Sequence, residues 1–191
     1  MNKYSAIIIG GSGQYGITIG NLLIQQKYKV YISSRSIRKI QTLKKKFPKI
    51  NFLKLNIYKK EDIKILLKKK KPNLIFYFAG QSSPQLSFIK PLETLRSNVM
   101  GCKNILEIID KNKINCKFIN ASSSEMYGHI KKKINLNTPK KPLNPYGKSK
   151  KISFDLVKKY RNKKKIKAFN LILFNTESFL RNKNFIIPKI C

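Results

Sequence analysis

Short, mostly apolar runs alternate along the chain with longer stretches in which apolar positions recur every three or four residues. The short runs are Ser5–Ile9, Lys29–Ile32, Asn51–Lys54, Asn73–Phe78, Cys116–Ala121 and Ala168–Leu173. Their Ile, Val, Leu, Phe and Tyr content predicts strands covered on both faces. The periodic stretches predict helices. One runs from about Tyr15 to Gln26 and turns Ile19, Leu22, Leu23 and Gln26 inward. The next has Glu61 and Asp62 in its first turn, where the helix dipole favours acids, and a stripe of Ile63, Leu66 and Leu67. Another opens at Pro91 with Glu93 close behind and would bury Leu92, Leu95, Val99, Cys102, Leu106 and Ile109. The last begins near Pro145 and carries Tyr146, Lys150, Phe154 and Val157.

Alternation of this kind predicts an α/β fold: a Rossmann-type, doubly wound parallel sheet with helices on both faces. Right-handed crossovers would line the strand C-termini along one edge, where ligands bind in such sheets. The polar stretch Gly128 to Asn144, with Pro139 and Pro142, is expected to arch over that edge. No internal repeat or Gly/Ser linker divides the chain.

Composition changes this picture little. A chain of 191 residues, 41% hydrophobic, can bury a true core. The 42 Lys+Arg against 8 Asp+Glu give a net charge of +34, which first invites nucleic acid or an anionic membrane as partner. Arginines are few, however (Arg35, Arg38, Arg96, Arg161 and Arg181), and the abundance of Lys, Ile and Asn resembles AT-biased coding. The lysine runs Lys44–Lys46, Lys68–Lys71, Lys131–Lys133 and Lys163–Lys165 form no single stripe along the chain. Solvated surface is therefore the expectation, with no nucleic-acid or membrane partner. Cys102, Cys116 and Cys191 make no CxxC pair and His129 is the one histidine, so no metal site is expected. Sparse cysteine, the short apolar run at the start and the lack of any 18-residue apolar stretch fit a cytoplasmic protein.

Three constellations carry chemistry. After the first strand, Gly10-Gly11-Ser12-Gly13-Gln14-Tyr15-Gly16 places Gly10, Gly13 and Gly16 between a strand and a helix. Glycines there permit a tight turn, close backbone approach to a pyrophosphate and close helix packing, which points to a dinucleotide. An acid about 20 residues on would grip the ribose of NAD; here the second strand ends in Ser33-Ser34-Arg35-Ser36, with Arg35 22 residues past Gly13 and Arg38 near. A guanidinium and hydroxyls suit a 2′-phosphate, so NADP is expected.

Tyr146 and Lys150 stand four apart and share a helix face, where an ammonium can lower a phenol's pKa and make it a base. In Ala121-Ser122-Ser123-Ser124-Glu125-Met126-Tyr127-Gly128, Ser123 and Glu125 are two apart, so extended backbone would point both to one side. They would offer a hydroxyl to orient a substrate oxygen and a carboxylate to move a proton. Glu125 gains weight from the scarcity of acids; the neighbouring His129 is read as an ordinary loop residue.

Together with Ala79-Gly80-Gln81-Ser82, Ser87-Phe88, Asn98, Asn144-Pro145-Tyr146 and Leu173-Phe174-Asn175-Thr176-Glu177-Ser178, these motifs resemble the extended short-chain dehydrogenase/reductases, most closely the GDP-mannose 4,6-dehydratase family. The resemblance implies an NADP-dependent lyase acting on GDP-mannose. Tyr146 would take the proton of the sugar 4-hydroxyl while hydride passes from C4 to NADP, and Lys150 would lower the Tyr146 pKa and hold the nicotinamide ribose. Ser123 would bond the 4-oxygen, and Glu125 would remove the C5 proton and assist water loss at C6, to which hydride returns.

The resemblance further assigns Gln14, Asn56, Ala79 and Gln81 to the cofactor, and Ser82, Asn175 and Glu177 to the substrate. Asn56 stands where relatives place an Asp, and Leu143, Leu180 and Pro188 where they usually carry Arg. A homo-oligomer is compatible with it, although the segment after Arg35 is shorter than the one with which many members form tetramers. It divides the chain into a cofactor-binding domain, residues 1–178, and the start of a sugar-nucleotide-binding region, 179–191, whose C-terminal domain is expected to be largely absent. The competing readings are another epimerase, dehydratase or reductase of the NAD-dependent epimerase/dehydratase superfamily, a catalytically silent cofactor-binding fragment, and a nucleic-acid binder, which only the charge of +34 favours. Glu125 separates the first of these, because an epimerase needs no base at C5.

Overall fold

The computed structural model describes residues 4–176, 178 and 180. Six parallel strands form one sheet: β1 (Tyr4–Ile9), β2 (Tyr28–Ser34), β3 (Asn51–Lys54), β4 (Leu74–Tyr77), β5 (Lys117–Ser123) and β6 (Ala168–Leu173). Their spatial order is β3-β2-β1-β4-β5-β6, the doubly wound order in which the direction of winding reverses beside β1. Every expected strand is present to within two residues at either end. Seven α-helices connect them: α1 (Gln14–Gln25), α2 (Ile37–Lys46), α3 (Lys60–Lys70), α4 (Pro84–Ile89), α5 (Pro91–Leu95), α6 (Gly101–Lys111) and α7 (Pro145–Lys164).

Strand alternation feeds two apolar layers. Ile7 and Ile9 of β1 face one way and join Ile75, Tyr77 and Phe118 against Ile63, Leu67, Ile105 and Val157 from α3, α6 and α7. Ile8 faces the other way and packs with Val30, Ile32 and Phe52 against Ile17 of α1 and Ile40 of α2.

Two helices bury other faces than their apolar spacing predicts. In α1 the buried residues are Gly16, Ile17 and Gly20, while Leu22 is 54% exposed. The missing Cβ atoms let the helix backbone settle onto the sheet, so glycines occupy the contact that a larger stripe would hold. The expected helix from Pro91 is broken by a π-helical turn at Arg96–Met100. An α-helix advances about 100° per residue, and a π-turn takes in one residue more, so the phase slips by one position. Cys102, Leu106 and Ile109 are buried as expected, but Leu92 and Leu95 are exposed and Thr94, Ser97 and Asn98 are buried instead.

Gly128 to Asn144 contains no helix or strand and runs from the end of β5 to the start of α7 along the C-terminal edge of the sheet. Three of the lysine runs share an edge of the sheet, those of α3 and α7 on one face and that of α2 on the other. Lys44–Lys46, Lys68–Lys70 and Lys163–Lys164 are last turns of α2, α3 and α7, with Lys71 and Lys165 capping the latter two. In a parallel α/β fold those helix ends share the edge opposite the strand C-termini. Among the described residues, no helix is long and apolar enough to cross a membrane.

Candidate active site

The three glycines after β1 are held apart by three different demands. Gly10 has φ +73°, and a Cβ on it would lie 2.3 Å from the Cα of Ala79 in the loop after β4. A Cβ on Gly16 would lie 2.2 Å from the backbone of Gly11, so this position sets the approach of α1 to the strand. Gly13 faces open space, with nothing within 4 Å of the Cβ it lacks, and caps α1 with no side-chain hydrogen bond and no acid in the first turn. The positive end of α1 is thus bare on the ligand edge, as a pyrophosphate site requires. The Gln14 side chain turns elsewhere: its amide nitrogen donates to the Thr176 carbonyl (3.2 Å), and its oxygen accepts from the Ser178 hydroxyl (2.8 Å).

At the end of β2 the Ser33 hydroxyl accepts from the Gly10 N–H (3.2 Å), and Ser36 caps α2 by accepting from Lys39 N–H (3.2 Å). A surface hollow of about 470 Å³ opens here, lined by Ser12, Ser36, Arg38, Lys39, Thr42 and Leu43. Arg35 is exposed at the bend beside it, so the cations that line the hollow are Arg38 and Lys39. Asn56 follows β3 on the same edge and folds its side chain back, accepting from Tyr58 N–H (3.0 Å).

Tyr146 and Lys150 lie in the first turns of α7, buried to 8% and 7% exposure. The Lys150 ammonium sits 5.6 Å from the centre of the Tyr146 ring and donates to the Ala121 carbonyl at the end of β5 (2.8 Å). Burial pulls its pKa down from 10.5 to about 8, and the neighbouring Cys102 acts weakly in the opposite sense. The Cys102 thiol, wholly enclosed, is itself pushed up to about 12.

Ser123 and Glu125 come together, but not by strand alternation. β5 ends at Ser123, and Ser124–Tyr127 form a 3₁₀ turn. Glu125 is therefore placed by the turn, which Ser123 caps by accepting from the Glu125 N–H (3.3 Å). The Asn144 amide nitrogen donates to the Glu125 carboxylate (2.8 Å), while its oxygen caps α7 by accepting from Gly147 N–H (2.7 Å). One asparagine thus ties the carboxylate to the start of the helix that carries Tyr146. Gly147 permits this, since a Cβ there would lie 2.5 Å from the Glu125 carbonyl oxygen.

The π-turn supplies a group of residues that apolar spacing missed. The Tyr77 hydroxyl donates to the Ser97 carbonyl, and the Ser97 hydroxyl accepts from Gln81 N–H (3.2 Å). The Asn98 amide nitrogen donates to the Gln81 carbonyl (3.1 Å) and to the Ser149 hydroxyl (3.0 Å), joining the loop after β4 to α7. Buried Thr94, Ser97 and Asn98 at helical spacing were the available signal. Ala79, Gln81 and Ser82 follow β4 on the ligand edge, with Ser82 exposed. Asn175 is exposed two residues beyond the Ser123↔Leu173 pair, on the same edge. His129 is exposed in its loop. Glu177 and, apart from Leu180, the segment 179–191 lie outside the described residues.

Among solved structures, the dTDP-glucose 4,6-dehydratase of Bacillus anthracis in complex with NAD superposes with a TM-score of 0.83 at 20% identity, over 98% of this chain and 60% of that one. A UDP-glucuronic acid 4-epimerase from Bacillus cereus, in complex with UDP-glucuronic acid and NAD, gives 0.84 at 21% identity, over 95% and 60%. At such identities the likeness establishes the Rossmann-type fold.

In sequence, the GDP-mannose 4,6-dehydratase of Sinorhizobium fredii is 32% identical across 97% of this chain and 56% of its own length. The GDP-mannose 4,6 dehydratase of Drosophila melanogaster is 32% identical across 97% and 50%. The chain thus spans about half the length of the curated relatives it matches. The sequence profile of the GDP-mannose 4,6 dehydratase family matches residues 7–191, and the chain belongs to that family.

Proposed function

We propose that this chain carries the cofactor-binding and catalytic half of an NADP-dependent sugar-nucleotide 4,6-dehydratase, with GDP-mannose as substrate. The observation that carries the reading is the convergence of Tyr146, Lys150, Ser123 and Glu125 on the same sheet edge as the uncapped start of α1, in a chain of this family. NADP fits the residues present: Gly10, Gly13 and Gly16 leave room for a pyrophosphate, and Ser12, Ser36, Arg38 and Lys39 surround a hollow suited to a 2′-phosphate. Arg35 and Asn56 would serve the cofactor's adenosine end, and Ala79, Gln81 and Lys150 its nicotinamide end.

When bound, the cofactor supplies a hydride acceptor for C4 and returns the same hydride to C6. Tyr146, as phenolate, takes the proton of the 4-hydroxyl, and the Lys150 charge stabilises that phenolate. The Ser123 hydroxyl holds the 4-oxygen. Once C4 is a ketone its C5 proton is acidic, and Glu125 removes it; that proton departs with the 6-hydroxyl as water. The proton gained by Tyr146 balances the one that returns to C5, so the net change is loss of one water. Ser82, Asn175 and Glu177 are assigned to the sugar and its phosphates.

The test is a single turnover of the polypeptide as the cell makes it. Glu125→Gln keeps the shape but not the base, so oxidation proceeds, elimination stalls, and the near-ultraviolet absorbance of NADPH accumulates. Tyr146→Phe gives neither reduced cofactor nor product, a loss of roughly 10²–10⁴-fold. A Glu125→Gln protein that forms 4-keto-6-deoxy sugar at close to the parent rate would overturn the dehydratase reading.

A further inference from the structure

The edge opposite the candidate active site is built from helix C-termini and strand starts, and it is crowded with lysine. Three of the four lysine runs end there, that of α3 near the middle of the sheet and those of α2 and α7 toward its two sides; Lys131–Lys133 lies in the loop on the catalytic edge. Further lysines begin or precede the strands, among them Lys29, Lys117 and Lys167. The nearest carboxylates, Glu107 and Asp110 of α6, are already engaged by Lys60, Lys103, Lys113 and Lys164 at 2.7–3.8 Å.

Two ordinary explanations fall short. A lysine in a last turn complements the helix dipole, but that effect fades within a turn and does not require lysines on the intervening strand starts. Coding bias sets how many lysines the chain has, not which edge collects its runs. Lys27, Lys71, Lys113 and Lys165 also adopt left-handed backbone (φ 59°, 42°, 49° and 56°), a conformation in which glycine is the unstrained choice.

The same edge offers places for flat rings. Tyr4, 43% exposed, packs against Tyr28 with ring centres 5.6 Å apart and planes tilted by 32°. The Ser5 hydroxyl bonds the Lys70 and Lys71 carbonyls, so the α3 lysines stand beside this pair. Between the ends of α3 and α6 is a hollow of about 480 Å³ lined by Leu67, Lys68, Lys71, Pro72, Ile114 and Asn115. Its floor is apolar and its rim cationic. A base lifted from a strand could enter it while the flanking phosphates meet lysine; a paired base could not. Charge along a path with stacking surfaces is the pattern of single-strand binding.

We propose that this lysine edge binds single-stranded nucleic acid, independently of the dinucleotide site across the sheet. Fluorescence anisotropy with a labelled, mixed-sequence 20-nucleotide strand tests it. Binding at about 0.1 M salt is expected to weaken steeply as salt rises and to persist under saturating NADP. Lys68→Gln, Lys69→Gln and Lys71→Gln together should weaken binding at least about tenfold. They should also lower the salt slope by roughly 2, because each neutralised phosphate of a single strand adds about 0.7 to it. The control triple, Lys131→Gln, Lys132→Gln and Lys133→Gln, removes equal charge from exposed positions on the catalytic edge and should change affinity less than about twofold. Equal weakening by the two triples, competition by NADP, tighter binding of a duplex, or retention by phosphatidylserine vesicles without binding of the strand would each overturn the proposal.

Discussion

Single residues at the site separate folding from binding. Gly13 and Gly16 look equivalent in sequence, yet a methyl group at Gly13 meets nothing and one at Gly16 meets backbone 2.2 Å away. Gly16→Ala should therefore lower stability by more than about 2 kcal/mol, the range of strained core changes. Gly13→Ala should melt within a few degrees of the parent but bind NADP at least tenfold more weakly, as calorimetry and titration on the same preparations would reveal.

Lys150 poses the opposite case, a group whose burial costs stability. Its folded pKa of about 8 lies below the ordinary 10.5, so between those values the unfolded chain binds more protons and stability rises with pH. Below pH 8 the full penalty is present. Lys150→Met should gain about 1–3 kcal/mol over the parent at pH 7, with the gain fading toward pH 10.5 in urea melts run across that range. A gain that does not vary with pH would mean that packing, not charge, sets the penalty. The Tyr146 and Lys150 pairing was readable from an interval of four. The partners that fix it were not, because Asn98 and Ser149 meet across 51 residues of chain and no local pattern encodes such a bond.

At the level of elements, the strands were legible and two of the helices were not. α4 is six residues long and too short for an apolar stripe, and the stripe of α2, Ile40 and Leu43 with Phe47 just beyond it, is short beside its five basic residues. The place of Glu125 was legible only in part: its neighbour Ser123 was right, but the 3₁₀ turn replaced the extended backbone assumed for it. Asn144 is where this turn and α7 meet. Asn144→Ala removes a helix cap and a carboxylate partner at once, and should cost about 1–2 kcal/mol in chemical denaturation. Asn144→Asp would keep the cap but set one carboxylate against another. A capping role alone predicts near-parent turnover for Asn144→Asp; the tie to Glu125 predicts a shifted pH profile.

Over the whole molecule, the alternation of strand and helix foretold the sheet, and the glycines foretold where its winding reverses. The lysines on the opposite edge follow from the same topology, which brings every helix C-terminus to that side of the sheet. Cofactor choice is also read at this scale, because a ligand that binds only the folded chain stabilises all of it. At 100 times its dissociation constant, NADP should add about 2.7 kcal/mol. At equal concentrations NADP should raise the melting temperature more than NAD, and Arg38→Ala should close most of that gap while Arg35→Ala closes less. Equal shifts from the two cofactors in the parent would remove the case for a 2′-phosphate site.

The π-turn at Arg96–Met100 makes deletions and substitutions inequivalent in this segment. Deleting one residue from the turn would relax it to an ordinary α-helix and leave the halves on either side facing as they do now. Keeping the length but removing the bonds of Ser97 and Asn98 would favour ordinary winding with every residue retained, rotating α5 by about 100° and carrying Leu95 inward in place of Thr94. The chain thus holds two side-chain phases in one sequence, an apolar one that its spacing spells out and a polar one that its buried hydrogen bonds select. A single codon lost here would disturb the helix less than the loss of the Ser97 and Asn98 bonds.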